Sequence, residues 1–403
     1  MAFSYSSGLD LRGAEMFAAD IELPQLVLKK TAMEHNLDVM AEFCADSGVS
    51  IAPHVKTSMS PYVIRRQLEA GAWAITVASM QQLRTCLDIG APRILLANEL
   101  ISPTAARWLG ERLVNARVEV YCLVDSLEGA ARLAHGWNDA GRLQELPVLV
   151  ELGIPGGRTG CRSVDQLCAV ARVISEQRGL RLVGVEGFEG ILGSDRTTEV
   201  LERVDTFLYA LVAGARRLLS EGLLDASEIL LSAGGSLFVD RAADILARAS
   251  LGVPTRVVLR SGCYVTHDHA RPRGGTPFPS VSGGPALVPA LELWSEVLSR
   301  PEPTRAIAGF GRRHAPYDSG LPVPLARLST GGSSLEPLKG GVTVTQLNDQ
   351  HAYLQLDSAE TLDVGDRLVC GIVHPCSAFD RWREILLVND AYRIEETIQT
   401  RFS

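Results

Sequence analysis

One lysine stands where it could act as a nucleophile. Lys56 closes the short apolar run Ile51-Ala-Pro-His-Val-Lys56 and is followed by the polar Thr57. If that run is a buried parallel strand, the amine lies at the rim of a sheet, where α/β folds place their chemistry. Partial loss of water favours the neutral amine, which can form a Schiff base with a carbonyl. A solvated lysine at a strand end is the simpler interpretation, and the other motifs of the chain are needed to distinguish the two.

Two segments rich in small residues offer backbone N–H groups to an anion. Gly234-Gly235-Ser236 and Ser261-Gly262-Cys263-Tyr264 each follow an apolar run that is typical of a strand. In a barrel of parallel strands, the loops after the last two strands are the usual place for a phosphate. With Lys56 across the barrel mouth, these segments favour a phosphorylated cofactor over two ordinary turns.

Charged side chains follow two further runs. Val148–Ile154 precedes Gly156-Gly157-Arg158-Thr159-Gly160, and another run ends near Glu186, Phe188 and Glu189. Because the carboxyl ends of parallel strands share one face, we expect these groups near Lys56.

The segment His374-Pro375-Cys376 has the spacing of a metal site. In an extended segment, residues two apart point to the same side, so the imidazole and the thiolate could bind one ion. Nitrogen and sulfur ligands favour zinc, although two ligands make only half a site. A buried cysteine beside an unrelated histidine is the alternative.

Strand-like runs alternate with helical patterns between about residues 51 and 263. The helical apolar spacing is clear at 79–89 and 164–176. The count and length of the units predict an α/β fold with a (β/α)8 TIM-type barrel, and a doubly wound open sheet is the alternative. The eight predicted strands are 51–56, 74–79, 93–98, 118–124, 147–153, 182–188, 228–233 and 255–260.

The chain changes character after about residue 275. Residues 271–284 are rich in Pro and Gly and predict a loop, and short strand-like runs with few helical patterns follow. We therefore predict a barrel over 26–278 and a smaller β-rich domain over 279–403, with 1–25 as a candidate to join it. The predicted strands of this domain are 291–299, 305–309, 341–347, 351–356, 367–373 and 384–388.

Composition limits the function classes. The chain has 403 residues, 46% hydrophobic and 21% charged, as in an ordinary globular enzyme, and its net charge of -8 argues against nucleic acid as a partner. Its eight cysteines are scattered, which indicates a reducing compartment. The first residues lack the pattern of a signal peptide, and no apolar stretch approaches the roughly 18 residues that span a bilayer. We expect a cytoplasmic protein that is not bound to a membrane.

Taken together, these segments resemble the D-serine dehydratase and D-threonine aldolase family, fold type III enzymes that depend on pyridoxal phosphate and share an alanine racemase-like barrel. The resemblance spans nearly the whole chain, and the lysine motif with the His-x-Cys segment is its most specific part. The matching segments are Pro53–Thr57, Gly157–Gly160, Gly184–Gly190, Gly234–Ser236, Ser261–Tyr264, Ala315–Pro322, Asp349–His351 and His374–Cys376.

The resemblance implies that Lys56 holds pyridoxal phosphate as a Schiff base, with His54 and Arg158 beside the cofactor. It implies that His374 and Cys376 bind a divalent metal, with zinc expected and manganese or magnesium as alternatives. It also implies a homodimer whose site lies between one subunit's barrel and the other's β domain. The phosphate would be bound by Gly234, Gly235, Ser236, Gly262, Cys263 and Tyr264.

Two positions carry separate hypotheses. A Glu186 carboxylate near the pyridine nitrogen would keep that nitrogen protonated, and a solvated or salt-bridged glutamate is the alternative. Phe188 stands where aldolases of the family tend to have a tyrosine, so the hydrogen bond of that hydroxyl is missing here.

The implied activity is the removal of water and ammonia from a D-configured 3-hydroxy amino acid such as D-serine, which leaves a 2-keto acid. Lys56 would take the α-proton, and the metal would act as a Lewis acid on the hydroxyl. Retro-aldol cleavage to glycine and an aldehyde is the nearest alternative. Cys376 favours dehydration, because aldolases tend to have a carboxylate at that place. A racemase and a non-catalytic pyridoxal phosphate carrier are further alternatives.

Overall fold

A computed structural model of the chain describes residues 11–18, 21–114, 117–141, 144–269, 277–278, 286–338, 340–357 and 362–402. Its first half alternates strands with helices. The strands are β1 Gln25–Lys29, β2 Ser50–Ile51, β3 Ile75–Val77, β4 Arg93–Glu99, β5 Glu119–Val124, β6 Leu146–Leu152, β7 Leu180–Gly187, β8 Ile229–Ala233 and β9 Thr255–Leu259. The helices are α1 Lys30–Asp46, α2 Pro61–Glu69, α3 Met80–Ile89, α4 Pro103–Leu113, α5 Leu127–Asp139, α6 Val164–Glu176, α7 Thr198–Ser220 and α8 Val239–Ala247.

Strands β2 to β9 form a closed parallel barrel. The ladder runs in the order β2-β9-β8-β7-β6-β5-β4-β3. The two ends of this ladder are joined by backbone bonds, from the Trp73 N–H to the Ile51 carbonyl at 2.8 Å and from the Thr76 N–H to the Pro53 carbonyl at 2.9 Å. The predicted (β/α)8 barrel is therefore confirmed, and the open sheet is excluded by these bonds.

Four of the barrel helices begin with a serine N-cap. The serine before each of α3, α4, α5 and α6 accepts a hydrogen bond from the backbone N–H three residues later. This cap satisfies a donor that has no partner within the helix and fixes where each helix begins after its strand.

The bottom of the barrel is filled by one ring of apolar side chains. Each strand region contributes one residue, and the ring forms a hydrophobic cluster separate from the one under the helices. Side chains alternate between the two faces of a strand, so Ala97, two residues after Leu95, and Arg260, two residues after Val258, also point inward at the upper rim. The ring consists of Ala52, Ala74, Leu95, Leu123, Leu149, Val183, Leu230 and Val258.

The second half of the chain forms a mostly antiparallel sheet of ten strands. Its longest path has the order β13-β12-β16-β10-β1-β17-β18, and β11, β14 and β15 extend it beside β10. Nine of its strands are β10 Leu291–Glu302, β11 Arg305–Ala308, β12 Val323–Leu328, β13 Glu336–Pro337, β14 Val342–Leu347, β15 Ala352–Leu356, β16 Arg367–Gly371, β17 Glu384–Val388 and β18 Ile394–Gln399, and the tenth is β1.

Strand β1 belongs to this second sheet. Its Val27 pairs with Glu292 of β10 on one side and with Leu386 of β17 on the other. From β1 the chain therefore passes out of the β-rich unit into the barrel through α1, and it returns at β10. The division at 26–278 and 279–403 stays a prediction, and most of the predicted loop 271–284 lies outside the described residues.

Within the part of the chain that the structure describes, no helix has the length and apolar character needed to cross a membrane.

Candidate active site

Lys56 lies at the barrel mouth, in a short turn rather than at the end of a strand. Strand β2 ends at Ile51, and Val55–Thr57 form one turn of 3-10 helix. Pro53 has no N–H to donate, so only its carbonyl takes part in pairing, and the regular strand ends earlier than predicted. The side chain of Lys56 is exposed in the single chain, so the partial loss of water that we expected is not seen.

A cavity of about 140 Å³ opens beside this lysine, and we call it the lysine cavity. It brings together four of the predicted residues, His54, Lys56, Arg158 and Gly235, and adds residues that the sequence analysis did not assign. Its full lining is His54, Lys56, Ala78, Ala97, Asn98, Arg158, Thr159, Phe188, Gly235 and Arg260.

An aromatic ring and two guanidinium groups shape the lysine cavity. The guanidinium carbon of Arg158 lies 4.7 Å from the ring centroid of Phe188, and that of Arg260 lies 5.9 Å from it. Burial, with Lys56 and both arginines nearby, holds the pKa of His54 well below its usual value, so the ring is neutral. Its Nδ1 accepts a hydrogen bond from the backbone N–H of Lys56 at 3.4 Å. The cavity therefore suits a flat, negatively charged ligand.

Arg260 is the most important residue that the sequence analysis missed. It is buried, lines the lysine cavity, forms an ion pair with Glu186 and donates to the Gly187 carbonyl at 2.8 Å. Burial raises the pKa of Glu186, to about 8, and the Arg260 guanidinium opposes that shift. Glu186 is not among the lining residues, so the role predicted for it at a ring nitrogen stays a prediction. The contacts favour a role in orienting Arg260.

Glu189 fixes the loop after β8. Its fully buried carboxylate accepts hydrogen bonds from the N–H groups of Gly234 at 3.0 Å and Gly235 at 2.5 Å. These two amides were expected to bind a phosphate, but here a carboxylate already occupies them. Gly234 has a φ of 93°, a left-handed conformation that favours glycine. Glu189 therefore holds the loop shape, a role that its position after β7 did not reveal.

Of the other predicted phosphate residues, Ser236, Cys263 and Tyr264 line a narrow recess of about 10 Å³. We call it the serine recess and define it by Ser236, Ser261, Cys263 and Tyr264. The hydroxyl oxygens of Ser236 and Ser261 are 3.0 Å apart. Gly262 lets this loop pass the lysine turn, because a methyl group there would lie 2.3 Å from the His54 carbonyl oxygen. The Ser236 and Ser261 hydroxyls therefore lie together on the same rim of the barrel as Lys56.

His374 and Cys376 do not lie in an extended segment. Pro375–Ser377 form a 3-10 turn, so the same-side argument from an extended chain was wrong. The Nδ1 atom of His374 lies 2.6 Å from Asp318 Oδ2. The sulfur of Cys376 lies 3.3 Å from the Thr57 hydroxyl and 2.7 Å from the Cys263 sulfur. Cys376 thus reaches the barrel rim, and a carboxylate on Nδ1 leaves the Nε2 atom of His374 for an ion.

Sequence comparisons agree with this geometry. Residues 290–388 match the family described as "Putative serine dehydratase domain". D-threonine aldolase of Arthrobacter sp. is 25% identical over 360 residues, which cover 89% of this chain and 87% of that protein. D-threo-3-hydroxyaspartate dehydratase of Delftia sp. (strain HT23) is 29% identical over 253 residues, 62% of each chain.

Solved structures share the fold over nearly the whole length. The crystal structure of D-threonine aldolase from Filomicrobium marinum has a TM-score of 0.80 at 22% identity and covers 96% of this chain and 97% of its own. Alanine racemase from Bacillus anthracis has a TM-score of 0.63 at 15% identity, with 95% and 99% covered. The chain is thus similar in sequence to an aldolase and a dehydratase of D-configured hydroxy amino acids, and it shares the fold of alanine racemase-like structures, a barrel with a second sheet.

Proposed function

We propose that the protein is a pyridoxal phosphate- and metal-dependent lyase that removes water and ammonia from a D-configured 3-hydroxy amino acid such as D-serine. The observation that carries the proposal is the Lys56 amine, which opens on a cavity with basic and aromatic walls. The names of the relatives, an aldolase of D-threonine and a dehydratase of D-threo-3-hydroxyaspartate, support the substrate class.

The residues at the barrel mouth fit the three groups of the cofactor. The Lys56 amine suits an aldehyde, Phe188 with its two neighbouring arginines suits a flat charged ring, and the Ser236 and Ser261 hydroxyls offer hydrogen-bond donors to a phosphate. When bound, pyridoxal phosphate supplies an electron sink for the charge that remains after an α-proton leaves.

The chain's own groups then have defined tasks. Lys56 lies at the end of the cavity where the substrate would bind. As a free amine, it would take the α-proton of the substrate. Arg260, oriented by Glu186, presents a fixed positive charge to the cavity, because guanidinium does not lose its proton in proteins. Asp318 orients His374 through Nδ1. A divalent ion bound by His374 and Cys376 supplies a Lewis acid for the departing hydroxyl.

Retro-aldol cleavage to glycine and an aldehyde is the second candidate, because the D-threonine aldolase of Arthrobacter sp. matches 89% of the chain. The thiol of Cys376 at the proposed metal site favours dehydration. Incubation with D-serine and with D-threonine, followed by assays of ammonia, keto acid, glycine and aldehyde, separates the two. Glycine and aldehyde without keto acid would overturn our choice.

The cofactor assignment has a direct test at Lys56. The chain has four lysines, at 29, 30, 56 and 339, so borohydride reduction followed by peptide mapping gives a clear result. We expect the label on Lys56 and loss of the visible absorbance in Lys56→Ala. Lys30→Ala is the matched control, since Lys30 pairs with Glu395 far from the cavity. A protein that stays colourless in excess cofactor, with no label at Lys56, would refute the assignment.

The metal and the assembly are parts of the same proposal. We propose zinc because of the imidazole and thiolate donors. A structure described as the metal-free form of a cysteine-to-alanine mutant of the dehydratase supports a metal in this family. We also propose a homodimer with a shared site. Elemental analysis of the purified protein and light scattering test these two points, and a metal-free active monomer would contradict both.

A further inference from the structure

The loop between β6 and α6 carries Arg158 and Thr159, two lining residues of the lysine cavity. We call residues 153–161 the cavity loop. Its two ends meet, because the Gly153 N–H donates to the Cys161 carbonyl at 2.8 Å. Between these ends most residues are exposed or half-buried, so the hydrophobic core alone does not set the shape of the loop.

The guanidinium group of Arg162 binds the cavity loop through four consecutive carbonyls. Its Nη1 donates to the carbonyl of Thr159 at 2.7 Å and to that of Gly160 at 2.9 Å. Its Nη2 donates to the carbonyl of Gly157 at 3.2 Å and to that of Arg158 at 2.7 Å. Among the described residues, no other group donates a hydrogen bond to any of these carbonyls. One side chain therefore fixes the backbone on both sides of Arg158.

Arg162 is itself held at the start of α6. Its backbone N–H donates to the side-chain oxygen of Gln166 at 2.8 Å, and the N-cap residue Ser163 accepts the Gln166 N–H at 3.1 Å. The same helix is attached to the barrel by its buried face, which includes Leu167 and Ile174. The guanidinium group therefore extends from a fixed helix end and connects the cavity loop to it.

Two glycines make room for this arrangement. A methyl group on Gly153 would lie 2.5 Å from Nη1 of Arg162 and 2.2 Å from the Thr159 carbonyl oxygen. Gly160 has a φ of 92°, a left-handed conformation that favours glycine. A guanidinium group has five N–H donors in one plane, whereas an ammonium group has three around one nitrogen. The backbone is thus shaped for an arginine at position 162.

The shape of the cavity loop determines where the charge of Arg158 lies. The guanidinium carbon of Arg158 is 4.7 Å from the ring centroid of Phe188 at the wall of the lysine cavity. The second arginine of that wall, Arg260, is paired with Glu186. In the part of the chain that the structure describes, no carboxylate forms an ion pair with Arg158. Arg158 therefore offers the cavity a positive charge that no carboxylate compensates.

We propose that Arg162 is a positioning residue for the lyase reaction, which acts through the cavity loop and keeps Arg158 at the wall of the lysine cavity. Arg162 does not line that cavity, so its effect is indirect. Without its four hydrogen bonds, a loop that contains Gly156, Gly157 and Gly160 has many more conformations, and Arg158 spends less time at the wall. The inference rests on the proposed function, because Arg158 matters only if the lysine cavity binds cofactor and substrate.

Trypsin tests the loop directly, because it cleaves after an exposed arginine such as Arg158 when the local backbone opens. The full-length protein is compared with Arg162→Met, which removes every donor and keeps a long side chain, and with Arg162→Lys. We expect cleavage after Arg158 to be more than about tenfold faster in Arg162→Met and intermediate in Arg162→Lys. Arg248→Met is the matched control, since the exposed Arg248 at the end of α8 pairs only with Asp244, and cleavage should stay at the wild-type rate.

A double-mutant cycle tests whether Arg162 acts through Arg158. Affinity for pyridoxal phosphate, measured by absorbance titration, should fall about tenfold in Arg162→Met and recover in part in Arg162→Lys. The double variant with Arg158→Met should bind no more weakly than Arg158→Met alone. Additive losses, unchanged cleavage after Arg158, or faster cleavage at every site alike would overturn the proposal. Absence of the borohydride label at Lys56 would instead show that the proposed function is wrong, while trypsin still reports whether Arg162 holds the loop.

Discussion

The barrel mouth and the β-rich unit contribute to the candidate active site in different ways. At the barrel mouth, parallel strands hold the functional groups: Lys56 follows a strand that is bonded on both sides, and Arg260 directly follows β9. In the β-rich unit, His374 and Cys376 follow β16 in a 3-10 turn. The side chain of His374 contacts Asp318, Ser319 and Ser377 in the same unit, and the sulfur of Cys376 contacts Thr57 and Cys263 of the barrel.

This difference predicts two kinds of sensitivity. Groups placed by backbone ladders should tolerate a neighbouring substitution without moving, whereas groups placed by side-chain contacts should depend on each partner. Loss of a proposed metal ligand in the β-rich unit should therefore abolish catalysis and leave cofactor binding at the barrel intact.

The largest effect is expected for His374→Ala. Loss of the proposed metal ligand should lower dehydration by more than about 10³-fold, or about 4 kcal/mol of transition-state stabilisation, since the Lewis acid is lost. The visible absorbance from the cofactor at Lys56 should stay unchanged. Steady-state assays and absorbance spectra of the same protein measure the two effects.

The exposed His135 on α5 provides the control, and His135→Ala should leave both readings at wild-type values. If His374→Ala abolishes cofactor binding as well, the two regions do not act separately and the comparison fails.

The next effect concerns stability within the barrel. Arg260→Leu leaves the buried Glu186 carboxylate without its partner, and breaking a buried ion pair in this way costs about 3–5 kcal/mol. Urea unfolding at pH 9, where a carboxyl group with a pKa of about 8 is charged, measures the loss. Glu186→Gln in the same chain should restore part of it, because the buried charge is then gone.

Arg107→Leu is the matched control on the surface. Arg107 and Glu111 are 3.6 Å apart on α4 and both more than half exposed, so this change should cost about 0–1 kcal/mol. Equal costs for the two arginines would show that the pair of Arg260 with Glu186 is not buried as described.

A smaller effect is expected for Glu189→Gln in the loop after β8. The carboxamide keeps one acceptor but turns an N–H group toward the amides of Gly234 and Gly235. A buried donor without a partner costs about 1–3 kcal/mol. We expect roughly tenfold weaker cofactor binding by absorbance titration, whereas the exposed Glu199→Gln should change nothing. Full affinity in Glu189→Gln would show that the carboxylate does not hold the loop.

The sequence predicted the barrel well because its signal is local. All eight predicted strands overlap the observed ones, and helix α6 has the predicted bounds. The β-rich unit was harder to predict. Strand β18, Ile394–Gln399, is mostly polar and lies at the end of the sheet path, and β1 joins a sheet whose other strands lie more than 260 residues later, so neither showed a usable local pattern.

The candidate active site was also predicted only in part, because only some of its residues have a local sequence signal. Lys56, Arg158 and the small-residue loops were found from strand ends, and the structure puts them around one mouth. Arg260 was missed, although it lies two residues after Val258, an apolar residue of the inner ring. Counting by twos along that strand would have found it. The Glu189 contact and the turn at Cys376 depend on tertiary packing and had no such signal.

The smallest effect is a pH dependence that compares one histidine from each region. Burial lowers the pKa of His314, in the β-rich unit, to about 4, and its Nδ1 accepts the Gly311 N–H at 3.2 Å. The unfolded chain binds this proton near pH 6.5, so the stabilisation is complete above that pH and is lost as the pH falls toward 4. Between pH 7 and pH 5 we expect a loss of about 1 kcal/mol, with allowance for the ring's partial exposure. His314→Asn should reduce the loss by that amount in thermal melts, since the other buried histidines keep their share, and His135→Asn on the barrel surface should leave it unchanged. If the loss is the same in His314→Asn and in the parent, this residue of the β-rich unit does not contribute to acid sensitivity.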